Sequence, residues 1–310
     1  MIKLQKIKDL NLDKPLQAGR PSFISAASGL VTFRDHFYVA ADDELSIFCF
    51  TYEPTETGQA IEVFSGKLPV EVKARKKEKP DLEALVYLPA SDALPHGSLL
   101  SFPSGSTIHR NRGTWIALNE NFLPSGCPQT FNASLLYDGL RQKFSDLNLE
   151  AAVIAQDRLR LFQRGNGISP NATVDLLLSE VLLELENGIL TPGTLLSTRI
   201  YELGTLNGVK LSFTDAAVAD DNTVLFTAVA EDTKSTYYDG RFFGAVVGRL
   251  DSKGDLQSQT SISPSIKVEG MSLQGEGKDR KVYFVTDGDD PTQAAGLYGC
   301  SYLSLMADCR

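Results

Sequence analysis

Histidine, tryptophan and methionine are nearly missing from this 310-residue chain, with three, one and three copies. A Ser/His/Asp triad would have to use His36, His96 or His109. His36 and His96 fall in turns, and His109 alone lies in a loop expected near a functional rim. The four cysteines (Cys49, Cys127, Cys300, Cys309) are scattered, with no C-x-x-C pair. Cys49 reads as a small buried hydrophobe. Cys300 and Cys309 are within reach of a bridge by position but are read as reduced thiols, there being no secretory signal. No apolar run approaches the roughly 18 residues of a membrane-spanning helix. The opening stretch "MIKLQKIKDLNLDK" alternates apolar and polar residues and lacks the apolar core of a signal peptide. Positive charge is also in deficit: 30 Lys and Arg against 39 Asp and Glu give a formal charge of −9. That balance argues against a nucleic-acid surface and against anionic membranes, and it fits cations or small neutral ligands. The expectation is a monomeric cytoplasmic protein with a small-molecule ligand or substrate.

What is present is β-structure. Short runs rich in branched and aromatic residues ("HFYVAADD", "LSIFCF", "TWIALNE", "NTVLFTAVAED", "KVYFVTDGDD") alternate with Gly, Asp, Asn and Pro punctuation. Only "TVDLLLSEVLLELENG" invites a helix, and it reads equally as two paired strands.

One figure repeats. An acid stands at the threshold of an apolar run in "KPDLEALVYLP" (Glu83), "LNLEAAVIA" (Glu150), "SFTDAAVA" (Asp215) and "KVEGMSL" (Glu269). Ser28 in "SAASGLVTF" holds the same place without an acid. Each copy leads a strand, a reversing turn, a second strand ending in a polar loop, and two further strands. In the first unit these strands are 29–33, 37–40, 45–50 and 60–64. The fifth unit (270–273, 282–286, 297–303) is one strand short, and the alternating segment 2–7 can supply it. Five such units describe one domain over residues 1–310, a five-bladed β-propeller closed by terminal strand pairing. Six blades of about 50 residues and a pair of β-sandwiches are the alternatives.

In a propeller the first strand of each blade lines the channel, so Glu83, Glu150, Asp215 and Glu269 should converge at one mouth. The loops expected around it carry Asp42 and Asp43, His109 and Arg110, Arg164 and Asn166, Glu231 and Tyr237, and Asp287 and Asp289. Carboxylates so close raise one another's pKa unless they gain counter-charge. A divalent cation held by Glu83, Glu150, Asp215 and Glu269 is one source, and hard oxygen ligands point to Ca²⁺, or alternatively Mg²⁺. A ring of lysines is the other, since Lys79, Lys210 and Lys267 each shortly precede their unit's acid. Each acid could also simply pin one blade to the next through backbone N–H bonds.

The motifs "KPDLEAL", "NLEAAV", "LFQRGNG" and "VEGMSL" together resemble the phytase-like, or esterase-like, propellers and a bacterial branch of them, over about residues 22–296. The resemblance implies a propeller with an acidic, calcium-dependent mouth acting on phosphate esters or other esters. By position it implies that Glu83, Glu150 and Glu269 are the repeated acids, with Asp215 a shorter one, and that Arg164 and Asn166 form an arginine–glycine–asparagine loop.

Three functions follow as expectations. The first is a metal-dependent hydrolase of a small ester, lactone or phosphoester, with Glu150 or Asp215 as base and Arg164 steadying negative charge. The second is a non-catalytic ligand- or protein-binding propeller. The third is a glycosidase using two carboxylates. Lys79, Lys210, Lys267, Ser28, Asn166, His109 and Tyr237 are the candidate ligand contacts.

Overall fold

The inner strands of the repeats pack against one another around a closed ring, each touching the next and the last touching the first. The computed structural model describes residues 1–165, 167–219, 221–232 and 240–308. The five sheets are the blades of a five-bladed β-propeller. Blade one is Ala27–Thr32, His36–Ala41, Ser46–Thr51 and Gln59–Glu62, and blade two is Leu82–Leu88, Ser98–Pro103, Arg112–Ala117 and Gln129–Asn132. Blade three is Leu149–Ala155, Arg158–Gln163, Asn171–Leu177 and Leu195–Tyr201. Blade four is Val209–Val218, Val224–Asp232, Arg241–Leu250 and Leu256–Ser263, with a two-residue strand Thr205–Leu206 leading in. Blade five is Val268–Gln274, Lys281–Thr286, Gly296–Ser301 and the N-terminal strand Gln5–Asp9.

The strands are apolar on both faces because each blade is sandwiched between two others. In His36–Ala41, alternation sends Phe37, Val39 and Ala41 into the core shared with blade five, and Tyr38 and Ala40 into the core shared with blade two. Leu225 and Val229 face blade five, whereas Phe226, Ala228 and Ala230 face blade three. Five such clusters fill the five interfaces. A period of two therefore survives inside what reads as a continuous apolar run.

Closure follows the expectation with one difference. Gln5–Asp9 pairs antiparallel with Gly296–Ser301, but Ile2–Lys3 crosses to blade four and pairs in parallel with Leu256–Ser263. The N-terminal segment thus ties two blades. Lys8 reinforces it, its ammonium donating to the carbonyls of Thr51, Glu53 and Glu56 at 2.7–3.1 Å in blade one's loop.

Helices are more numerous than the apolar periodicity suggests. "TVDLLLSEVLLELENG" divides into the end of strand Asn171–Leu177 and helix Leu178–Glu186, which buries Val181 and Leu185. Ser134–Arg141 buries Leu136, Tyr137 and Leu140. The strand expected over 297–303 stops at Ser301, and Tyr302–Asp308 is helical. Helix Val72–Glu78 matters most for the site. The Glu71 carboxylate caps it by accepting from the N–H groups of Lys73 and Ala74, and it delivers Arg75 and Lys76 to the mouth.

Candidate functional site at the channel mouth

The inner strands carry one bulge per blade, placed where the repeated motif begins. Pairing skips Glu83 in blade two, Glu150 in blade three and Glu269 in blade five. A bulged residue is released from the ladder, and its side chain is re-aimed. All three acids line a cavity of about 180 Å³ at one end of the channel, space for a small molecule rather than a single water. The residue after each repeat position is small: Gly29, Ala84, Ala151, Ala216 and Gly270. A Cβ on Gly270 would stand 2.1 Å from the Ser28 carbonyl oxygen, and one on Gly29 would stand 2.5 Å from the Leu85 nitrogen. Small residues here let the inner strands approach closely enough to bring the acids together.

Blade four differs. Its bulge falls one residue earlier, at Thr214, so Asp215 stays in register opposite Thr227. The Asp215 carboxylate accepts from the Met271 N–H of blade five at 2.5 Å and from its neighbour Ala216 at 2.8 Å. Asp215 is buried and absent from the cavity wall. It pins two blades together, and burial raises its pKa well above the usual carboxylate value.

The wall holds ten carboxylates and six cationic side chains. Lys79 bridges Asp42 and Asp81, lying 2.8 Å from the latter. Asp81, in left-handed backbone at φ 63°, also accepts from Arg110 at 2.9 Å and from Ser104 and Ser106. Arg164 donates to Glu150 at 3.3 Å and to Glu231 at 2.7 Å. Lys267 sits 2.8 Å from Asp289, 3.4 Å from Glu269 and 3.6 Å from Glu231. Ser28 donates to Glu83 at 2.7 Å.

Burial and the Glu150 charge, with Asp81 beyond it, push Glu83 well above the usual range, against the pull of Lys79. Burial lifts Glu150 to about 8 and Asp42 to about 6, opposed in each case by the neighbouring cation. Asp81 goes the other way. Burial alone would raise it, but Lys79 and Arg110 outweigh that and hold it below the usual value. Burial pulls Lys79 down, yet Asp42 and Asp81 win and keep it charged.

Of the sequence candidates, Glu83, Glu150, Glu269, Arg164, Lys79, Lys267 and Ser28 therefore meet at the mouth. Lys210 is exposed and off the wall, and so is His109, whose neighbour Arg110 turns inward instead. Asn166 and Tyr237 lie outside the described residues. Arg110 was expected in a loop around the mouth and is there, whereas Asp81 and Arg75 carried no signal that set them apart in the sequence. Asp81 stands two residues before Glu83, in the same quoted motif, and only its partners across the chain mark it.

The donor set suits a hard cation. Carboxylate oxygens of Asp42, Asp81 and Glu83 lie within 4.8 Å of one another and could hold a metal ion. Glu269 Oε1 is buried without a hydrogen-bond partner among the described residues. The lysine ring is also there in part, through Lys79 and Lys267, but it leaves the carboxylates in excess. No helix among the described residues is long and apolar enough to cross a membrane.

A search of curated proteins returned no match. Among solved structures, the α-L-arabinofuranosidase PaAbf62A from Podospora anserina, in complex with cellotriose, is similar over 96% of each chain at 10% identity, with a TM-score of 0.53. The WD40 β-propeller domain of Doa1 covers 97% of this chain and 98% of its own at 11% identity, with a TM-score of 0.41. The first of these likenesses concerns the fold alone. The family comparison matched residues 23–301, nearly the whole propeller, to a model that carries no phytase-like label. The chain belongs to that family, described as a family of unknown function (DUF6929).

Proposed function

We propose that the mouth is a hydrolytic site for a small ester, lactone or phosphoester, served by a hard divalent cation, Ca²⁺ before Mg²⁺. The observation that carries the reading is the charge imbalance of the wall, ten carboxylates against six cations, beside a Glu150 carboxyl held to about 8. A carboxyl near that value gives or takes a proton at neutral pH, as general acid–base catalysis needs. Glu83 and Glu269, with Asp42 and Asp81 beside them, would hold the cation, whose contribution when bound is Lewis acidity toward the scissile oxygen. Arg164, between Glu150, Glu231 and Glu269, keeps Glu150 in place and faces developing negative charge with its remaining N–H. The resemblance to phytase-like propellers supports the same reading.

A glycosidase is the second reading, favoured by one observation. Glu150 and Glu269 both approach Arg164 Nη1, at 3.3 and 3.9 Å, and Glu269 Oε1 has no hydrogen-bond partner among the described residues. One carboxyl that holds its proton beside a second with an unfilled acceptor matches the pair of carboxyl groups glycoside hydrolysis requires.

A panel of aryl esters, lactones, aryl phosphates and aryl glycosides, assayed with Ca²⁺ and with chelator, tests both. Turnover of an ester, lactone or phosphoester that chelation abolishes and Glu150→Gln lowers by about 10²–10⁴ is the expected result. Metal-independent glycoside turnover would favour the second reading, and no turnover anywhere would leave a binding propeller. Calcium should also stabilise the fold by about 2.7 kcal/mol at a hundredfold excess over Kd. Glu83→Gln and Glu269→Gln should each remove most of that gain.

A further inference from the structure

Among the described residues, every cationic side chain at the mouth is already engaged. Lys79 serves Asp42 and Asp81, and Lys267 serves Asp289, Glu231 and Glu269. Arg110 donates to Asp81, Ser106 and the Lys76 carbonyl, and Arg75 to Asp43 and the carbonyls of Pro69 and Val70. Lys76 has its partner too. A phosphate or carboxylate entering here meets ten carboxyl groups against six cations, and every one of those cations already has a partner.

Two polar atoms within this network lack a hydrogen bond among the described residues. Glu269 Oε1, on a side chain 6% exposed, lies 3.4 Å from Lys267 Nζ yet accepts no hydrogen bond from the described residues, and Arg164 Nε, on one 8% exposed, donates none to them. They are neighbours, since Arg164 Nη1 lies 3.9 Å from the same Glu269 oxygen. Buried polar atoms left unmatched are costly, so a ligand that satisfies both is favoured. An unfilled acceptor beside an unfilled donor is the complement of a hydroxyl group, which donates once and accepts through its lone pairs. The wall also carries nine other carboxyl groups, whose oxygens take further hydroxyl donors.

We propose that the mouth selects a neutral, polyhydroxylated molecule (a sugar, a sugar lactone or a polyol) and turns away phosphate esters and carboxylates. This deepens the hydrolytic reading of the same cavity, resting on it for the fate of the ligand but not for its binding. Calorimetric titration of the full chain, with and without Ca²⁺, tests it. The neutral probes are L-arabinose, D-glucitol and methyl α-D-glucopyranoside, and the anionic ones are inorganic phosphate, glucose 6-phosphate and gluconate. At least one neutral probe should bind, with every anionic probe about tenfold or more weaker. Losing a hydrogen bond to a charged group weakens binding by about tenfold or more, so Glu269→Gln should do so for the neutral probe. Arg164→Lys, which keeps the charge and drops the Nε–H, should weaken it likewise, so the test survives if one variant misfolds. Phosphate or glucose 6-phosphate binding as tightly as the best neutral probe, or no neutral probe binding, overturns the proposal. Neutral probes binding while the substrate panel shows no turnover removes the hydrolytic reading and keeps this one. Turnover confined to phosphoesters does the reverse.

Discussion

Burial lifts the Glu150 carboxyl to about 8 against the opposing pull of Arg164, whereas in the unfolded chain a glutamate titrates near about 4.3. Between those values the folded state binds the extra proton, so stability falls as pH rises. The contribution is whole below the unfolded value and gone above the folded one. With metal chelated, the melting temperature should drop from pH 5 to pH 8, and Glu150→Gln should flatten that slope. A melting temperature that climbs over this range would contradict the assignment. Lys79 gives a second residue-scale outcome. Lys79→Met strips a counter-charge from Asp42 and Asp81, and breaking a buried pair costs about 3–5 kcal/mol, readable by denaturant unfolding. The bulged glutamates were legible because each opens an apolar run at a recurring interval. Asp215 was legible as an acid but not in its role, since a one-residue shift of the bulge to Thr214 leaves no mark on the motif. Asp81 went unnoticed because its importance comes from Lys79 and Arg110, brought to it only by folding.

The inner strand is where sequence and site meet. Gly270→Ala would set a methyl carbon 2.1 Å from the Ser28 carbonyl oxygen and 2.4 Å from Val285 Cγ2. Strand backbone cannot yield cheaply, so a loss of about 1–3 kcal/mol or more is expected. Gly288→Ala, with nothing within 4 Å of the added carbon, is the control and should stay within about 0.5 kcal/mol. Equal effects at the two glycines would mean that close approach of the blades is not what Gly270 secures. Strand order within blades was readable from alternation and turn residues. Helix Val72–Glu78 was not, because "VKARKKE" has no apolar stripe, and a free helix so short is marginal. Its Glu71 cap and the burial of Arg75 against Asp43 hold it in place, and neither is a periodic signal.

Five repeats with the fifth one strand short made the closed ring legible at the scale of the whole molecule. The crossing of Ile2–Lys3 into blade four was not, since a two-residue parallel pairing has no pattern of its own. Removing residues 1–7 should open the edge of Gly296–Ser301 and the outer edge of blade four together, and lower the melting temperature by several degrees in calorimetry. Unchanged melting would mean that the ring does not depend on this clasp. The clasp also bears on how the protein is made. Gln5 pairs with Gly299, so this strand leaves the ribosome almost three hundred residues before its partner. At about 5–20 residues per second it waits roughly 15–60 s as a lone β-edge, the kind of segment that recruits strands from other chains. Lys3, Lys6 and Lys8 are spread along that segment, and charges in such positions act as gatekeepers against mispairing. Neutralising Lys3 and Lys6 should therefore reveal itself in soluble yield during expression, well before any change in the finished fold.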